Sequence, residues 1–236
     1  TVCTQGIVGN IGSSDGIVPI WNAARRWFAD DCVPVPERCV TWIAPAELPA
    51  AAHAAPQFGP LAADYARRVF AREGREFDVR LCVRNFPADA IIAEPAEFEQ
   101  LNFRGELSAD YAGLAEFTVT RDARMDGLVL WTRLHNGNDP AVDFLEHQQA
   151  WLPVWFPLEA SLELRHGDVV RAEWQCVTPA GQVFPDYTVT VVHDSAVGGR
   201  ITSSYSSRHH EMRVGQTALH RKLLAALGDP AAAPDG

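Results

Sequence analysis

The sequence predicts a mainly β protein: an antiparallel barrel or sandwich with a short α/β segment at its amino end and one helical insertion. Three observations carry that expectation. From Phe77 to Val192, short β-prone runs (FDVRLCV, AEFTVTR, DGLVLWTRLH, LELRHGDVVRAEWQCV and VFPDYTVTVV) follow one another, separated by Gly, Pro, Asn and Asp. No helical periodicity falls between them, which argues against βαβ units over that stretch. Helical spacing is confined to residues 17–28, 61–70 and 219–227.

The opening stretch, TQGIVGNIGSSDGIVPIW, carries glycines at Gly6, Gly9 and Gly12. A phosphate-cradling fingerprint needs a strand, then G-x-G-x-x-G, then a helix and a later acid within one βαβ unit. Here the spacing is G-x-x-G-x-x-G, no Walker lysine follows, and Asp15 intrudes before the helix, so nucleotide binding by this loop is not expected. Beyond it, Ile17, Ile20, Ala24, Trp27 and Phe28 recur at helical spacing, with Asp15 in N-cap position. DDCVPVPERCVTWIAPAEL then reads as a proline turn feeding a strand over residues 39–45.

An alanine-rich insertion follows from about residue 48 to 75, punctuated by Pro56 and Pro60. Leu61, Tyr65 and Val69 fall four apart with Phe70 beside them, and Gly74 closes the helix they define. That stripe needs a surface to bury against, either another chain or the β-rich body. Among the β runs, Leu162 and Leu164 alternate toward a core ahead of a hairpin turn at His166-Gly167, and TPAGQ marks a second hairpin at residues 178–182. After Val192 the chain turns polar (GGRITSSYSSRHHEMR), and Leu219, Leu223 and Leu227 then mark a short amphipathic helix.

Composition narrows the function. Thirty acidic against twenty basic side chains give a net charge of -10, which repels nucleic acid and anionic membrane surfaces but attracts a cationic peptide. Cys3, Cys32, Cys39, Cys82 and Cys176 are odd in number and scattered, showing neither a zinc spacing nor a disulfide framework. They fit free thiols in a reducing cytoplasm. No apolar run reaches the ~18 residues of a spanning helix, and no signal-peptide order is visible. His209, His210 and Glu211 read as a solvated loop rather than a metal site, and Ser203, Ser204, Ser206 and Ser207 as a linker. Glu146 and His147 stand together ahead of Trp151, where an acid/base pair at a pocket mouth and an ordinary polar turn are both compatible.

Taken together, these segments resemble protein arginine methyltransferases. The stretch from Gly6 to Asp15, its following helix and CVPVPERCVTWIAPAEL are similar to the part of those enzymes after the cofactor motifs, where two glutamates stand nine apart ahead of a helix and a strand entering a β-barrel. FDVRLCVRNFPADAIIAEP and AWLPVWFPLEASLELRHGDVVRAEWQCV resemble barrel segments of the type II, symmetric-dimethylating branch, with the W-x-P-x-x-F-P pattern the most specific part. The resemblance spans almost the whole chain. It implies that residues 1–36 are the end of a Rossmann-type domain, that 37–195 form the barrel with a helical arm at about 48–75, and that 196–236 are a polar segment and helix.

Carried over position by position, the two glutamates fall on Gly6 and Asp15, and the family's T-H-W or S-W loop falls on Gln149, Ala150 and Trp151. A carboxylate pair grips the guanidinium fork and aims one nitrogen at the sulfonium methyl; with glycine at one position that grip is incomplete. Asp15 could equally be only a helix cap. Leu61, Tyr65, Val69 and Phe70 fall on the arm that, in the family, reaches a second protomer. The family's cofactor is S-adenosylmethionine, but its G-x-G-x-G loop would lie ahead of Thr1. The chain opens in TVC without methionine and reads as entering mid-domain, so no cofactor is expected to bind this chain alone.

The implied function is a methyltransferase-related barrel that binds a peptide or protein partner, or supports homo- or hetero-oligomerisation, without itself catalysing transfer. Two other functions stay open. One is the substrate half of an active methyltransferase whose cofactor half is a separate Rossmann subunit or an omitted segment. The other is a binding module unrelated to methyl transfer.

Overall fold

A computed structural model of the chain describes residues 2–4, 8–195, 199–208, 211 and 213–228. Strand β1 (Val2–Thr4) comes first, and the glycine segment, described from residue 8, leads into helix α1 (Ile17–Ala24) with a 3-10 turn at Arg25–Trp27. The helix starts differently from expectation. Gly16, at φ 80°, occupies the N-cap and no side chain bonds there, so Asp15 does not cap it. Only glycine adopts that left-handed conformation without strain, which explains why the cap is a backbone device. Ile17, Val18 and Trp21 turn inward against Val8, Leu101 and Phe103. Strand β2 (Val33–Val35) then pairs in parallel with β1, closing a small α/β step.

The main body follows in chain order. Strand β3 (Arg38–Ala46) is succeeded by helices α2 (Ala50–Ala54) and α3 (Pro60–Glu73). Strands β4 (Leu81–Cys82), β5 (Ala96–Asn102), β6 (Tyr111–Thr118) and β7 (Ala123–His135) come next. After them run β8 (Val142–Asp143), β9 (Val154–Leu164), β10 (Val169–Val177), β11 (Asp186–Ser195) and β12 (Gly199–Ser207), and helix α4 (Ala218–Gly228).

Apart from β1 and β2, the strands pair antiparallel in two sheets. One runs β4-β9-β7-β3-β5 with β8 against β7, and the other runs β12-β11-β10-β6. Period-two burial builds the space between them: β10 buries Val170, Ala172, Trp174 and Cys176 and exposes the residues in between. A single core cluster joins Ile43, Phe98, Leu128 and Phe156 of the first sheet to Phe117, Trp174, Tyr187 and Tyr205 of the second. Burying side chains of this size stabilises the fold by roughly 1.5–3 kcal/mol each.

Two stretches fold otherwise than the sequence suggests. The turn at His166-Gly167 does not close a hairpin, because β9 and β10 belong to different sheets. It is a corner, fastened by Gly167 N–H donating to the Val119 carbonyl at 2.8 Å and Val119 N–H to the Asp168 carbonyl at 2.9 Å. The polar run after Val192 is no linker either. It supplies β12, which alternates Ser203, Tyr205 and Ser207 inward and pairs along β11. By contrast, TPAGQ does lie in a hairpin connection, between the paired strands β10 and β11.

Helix α3 ends at Gly74, left-handed at φ 70°, as the sequence indicates. Its apolar positions divide between two faces. Ala63, Ala66 and Phe70 bury against Leu227 of α4, whereas Leu61 and Tyr65 remain 84% and 70% exposed. Helix α4 is fixed by buried His220, whose Nδ1 meets Thr217 Oγ1 at 2.8 Å and whose Nε2 meets the Val79 carbonyl at 3.1 Å. The ring stacks on Tyr205, and Asp78 lies 4.0 Å away.

Burial pushes the His220 imidazole below its ordinary value of 6.5, with Asp78 and the Val79 carbonyl opposing. The folded state therefore binds a proton there less readily than the unfolded chain. Above 6.5 the group costs nothing; as pH falls below 6.5 toward its lowered value, stability is lost. Urea unfolding across that window should show the loss, and His220→Gln should flatten it.

Candidate functional site

The glycine segment is a series of tight turns: Gly9 N–H donates to the Gly12 carbonyl at 3.1 Å, and Ser14 N–H to that of Ile11 at 2.8 Å. Its glycines serve close approach. A Cβ on Gly9 would stand 2.0 Å from Ser14 Oγ, and one on Gly12 would stand 2.9 Å from Glu99 Oε1 and 3.0 Å from Cys39 Sγ. Gly6 lies outside the described residues.

Glu99 is the group against which the segment seats. Strand β5 should alternate, yet both Phe98 and Glu99 are buried. The cause is a bulge: Thr41 pairs with Glu99 and Trp42 with Glu97, so Phe98 is an extra residue and the next side chain is turned inward. There the Glu99 carboxylate accepts from Ser13 N–H at 3.0 Å, Thr41 Oγ1 at 2.8 Å and Tyr111 Oη at 2.8 Å. Gly12 N–H in turn donates to Thr41 Oγ1 at 2.9 Å, and the Ser13 and Tyr187 hydroxyls meet at 2.7 Å. Burial first, and the Glu99 charge second, push the Tyr111 and Tyr187 phenols and the Cys39 thiol well up, and the Cys176 thiol up to about 12. These groups keep their protons, and the network holds structure rather than transferring protons at neutral pH.

On its other side the segment meets the loop that carries Trp151. Trp151 Nε1 donates to the Val8 carbonyl at 2.6 Å, and Leu152 N–H donates to Asn10 Oδ1 at 3.2 Å. The Asn10 amide also donates to Cys82 Sγ on β4 at 3.2 Å. Trp151 itself packs on Phe144, ring centroids 4.9 Å apart. Val8 and Asn10 of the glycine segment, the Trp151 loop and β4 thus meet in one place.

Asp15 is exposed, and its carboxylate accepts from Ser14 Oγ at 3.0 Å. Its field reaches Cys82. Desolvation raises that thiol above its usual value and the Asp15 charge adds to the rise, while the Asn10 hydrogen bond and the Arg80 charge oppose it. Arg80 lies over the Tyr187 ring, 4.9 Å from its centroid, with Nε donating to Ser207 Oγ at 3.2 Å. A raised thiol is a poor nucleophile, so Cys82 is not an activated attacking group.

The other expected residues fall as follows. Glu146, His147 and Gln149 are exposed, and no hydrogen bond joins Glu146 to His147. Gln148 is the one that anchors the loop, accepting from Phe86 N–H at 2.7 Å and donating to the Phe86 and Leu145 carbonyls at 2.8 and 2.9 Å. Val69 is half-buried. His209 and His210 lie outside the described residues, and Glu211 pairs with Arg208 and Arg213. Among the described residues no three His, Cys, Asp or Glu gather as a metal site, and no helix is long and apolar enough to cross a membrane. A hollow of about 650 Å³, lined by Leu114, Arg171, Glu173, Gln175 and Thr188, lies on the outer face of the second sheet, away from the glycine segment. Within it the half-exposed Arg171 and Glu173 side chains pair at 2.7 Å.

Sequence reasoning missed Glu99, Asn10 and Gln148. For Glu99 a faint signal exists, since AEFEQ places two glutamates around a phenylalanine in a strand entering the core. Nothing local distinguishes Asn10 or Gln148.

No protein-family model matches the chain, and no curated protein matches it in sequence. Solved structures do. The PRMT1 enzyme-prozyme heterotetramer of Trypanosoma brucei with AdoHcy aligns at TM-score 0.64 and 15% identity over 87% of this chain and 68% of that one. Protein arginine methyltransferase 10 of Arabidopsis thaliana, in an open conformation, aligns at 0.66 and 11% over 88% and 70%. A PRMT6 structure aligns at 0.56 and 13% over 80% and 66%. Over the aligned residues the chain shares the fold of these arginine methyltransferases. At these identities the likeness extends to the fold alone, and roughly a third of each of those chains has no counterpart in this alignment.

The electrostatics around Cys82 yield a direct check on the site. Asp15→Asn removes a charge that raises the thiol, so alkylation of Cys82 near neutral pH should speed up; Arg80→Met should slow it. Peptide mass spectrometry after timed iodoacetamide exposure would measure both rates, and unchanged rates would mean the three residues do not share a cleft.

Proposed function

We propose that this chain is the substrate-binding part of a protein built like an arginine methyltransferase, without methyl-transfer activity of its own, and that it recognises a cationic peptide or protein segment. One observation supports the reading above the others. The segment carrying Asp15 and the loop carrying Trp151, which the sequence resemblance assigns to substrate recognition, are joined by the Trp151–Val8 and Asn10–Leu152 hydrogen bonds. A carboxylate on the segment that the Trp151 loop holds suits a guanidinium or ammonium group, and the overall charge of -10 favours its approach. The W-x-P-x-x-F-P stretch in AWLPVWFP is what favours the type II branch. Gln149, Glu146 and His147, all exposed on the same loop, are assigned to the rim of that site.

The exposed Leu61 and Tyr65 of α3 support assembly through the arm, with Val69 flanking them and Phe70 anchoring the helix from beneath. The enzyme-prozyme heterotetramer is a relative in fold in which assembly with a second chain occurs. A cytoplasmic setting accords with the free thiols.

A second reading has its own observation. Strands β1 and β2 form a parallel pair of three residues each, with Val2 and Val33 exposed at 64% and 41%. Parallel sheets are otherwise covered on both faces, which favours a cofactor-binding α/β half supplied by another chain or another part of the same protein. In that case the chain is the substrate half of an active methyltransferase.

Calorimetric titration tests the proposal. The 236-residue chain should bind an arginine-containing peptide, lose about tenfold in affinity in Asp15→Asn as one charge-assisted contact is removed, and take up no S-adenosylhomocysteine. Tight uptake of S-adenosylhomocysteine by the chain alone would refute it.

A further inference from the structure

The Glu99 carboxylate has a placement that the fold by itself does not require. A strand can bury an apolar residue at an inward position, and a buried carboxylate is retained only with its hydrogen bonds satisfied. Here the bulge at Phe98 turns it inward, and its partners are Thr41 of the adjoining strand, Tyr111 of β6 and the backbone of Ser13. Only the last lies outside the two sheets. Removing the carboxylate leaves Thr41 and Tyr111 in place on their strands, whereas Ser13 N–H loses its acceptor.

Ser13 is two residues from Asp15. Between them, Gly16 N–H donates to the Ser13 carbonyl at 3.1 Å and Ser14 Oγ donates to the Asp15 carboxylate at 3.0 Å. The position of the Asp15 carboxylate is thus fixed from Glu99 through Ser13 and the turn. Gly12 reinforces the contact, since the missing side chain lets the backbone approach within reach of Glu99 and Thr41.

We infer that Glu99 is a positioning residue for the cation-binding site: from inside the two-sheet core it holds Ser13, and through Ser13 it sets where Asp15 presents its carboxylate. This rests on the reading of Asp15 as the ligand-facing acid. The residue acts through the loop and does not touch the ligand. A preorganised carboxylate binds more tightly than one that must be ordered on binding, so the effect appears in affinity rather than in global stability alone.

Residue-resolved hydrogen exchange and peptide titration on the same variants test it. In Glu99→Ala the Ser13 amide should exchange about tenfold faster, as the loss of a hydrogen bond to a charged acceptor implies, while amides of β7 and β9 keep their protection. Affinity for an arginine-containing peptide should fall as far as in Asp15→Asn, and Glu99→Gln, which keeps one acceptor oxygen, should restore most of both. If Glu99→Ala fails to fold, Glu99→Leu, which fills the space without an acceptor, serves in its place, and the Ser13 amide should lose protection there too. Unchanged Ser13 exchange in either variant overturns the inference, as does a Glu99→Gln protein no better than Glu99→Ala in both measurements. Should the wild-type chain bind no such peptide, the functional reading of Asp15 fails, and the exchange data alone decide whether Glu99 holds the loop.

Discussion

One buried carboxylate ties the amino-terminal segment to the two-sheet body. Glu99 sits in the core with neutral partners, a backbone amide, an alcohol and a phenol, and among the described residues no cation pairs with it. Burying an acid this way carries a desolvation penalty of several kcal/mol, which the three hydrogen bonds must offset. Its persistence therefore points to what it holds. Without it the Ser13 amide would lose its acceptor in the core, leaving the segment seated by Ile11 and Val8 and by the Gly12–Thr41 and Ser13–Tyr187 contacts.

Every other feature of the candidate site follows from that seating. Once Gly12 and Ser13 are fixed against the core, Val8 and Asn10 come within reach of the Trp151 loop, and Asn10 within reach of Cys82. The glycines make this possible by taking up no space. A sequence motif that suggests phosphate binding is here a steric allowance for backbone packing, and the two readings separate only when the neighbouring atoms are known.

Much of the fold was legible because β-sheets and helices write their burial into short periods. The alternation in LELRHGDVVRAEWQCV and the four-residue spacing around Leu61 and Leu223 identified strands and helices correctly in kind. Pairing was not legible: the same alternation fits a hairpin or a corner, and only the neighbours of β9 and β10 show that the chain crosses between sheets. The strand in GGRITSSYSS was hidden for a related reason, since serines fill inward positions beside Tyr205 where apolar residues would have announced it. Within the site, Asp15 and Trp151 came from a family resemblance, while Glu99 depends on a bulge, and a one-residue slip in pairing leaves no mark in composition.

The candidate site depends on the docking of Ser13 into the core, and the Ser13–Tyr187 hydroxyl pair reports it most directly. A double-mutant cycle of Ser13→Ala and Tyr187→Phe, read by urea unfolding, should give a coupling of about 1 kcal/mol, as expected for hydrogen-bonded neighbours. Strict additivity of the two changes would mean that the glycine segment does not reach the interior, and the site built on it would fall with it.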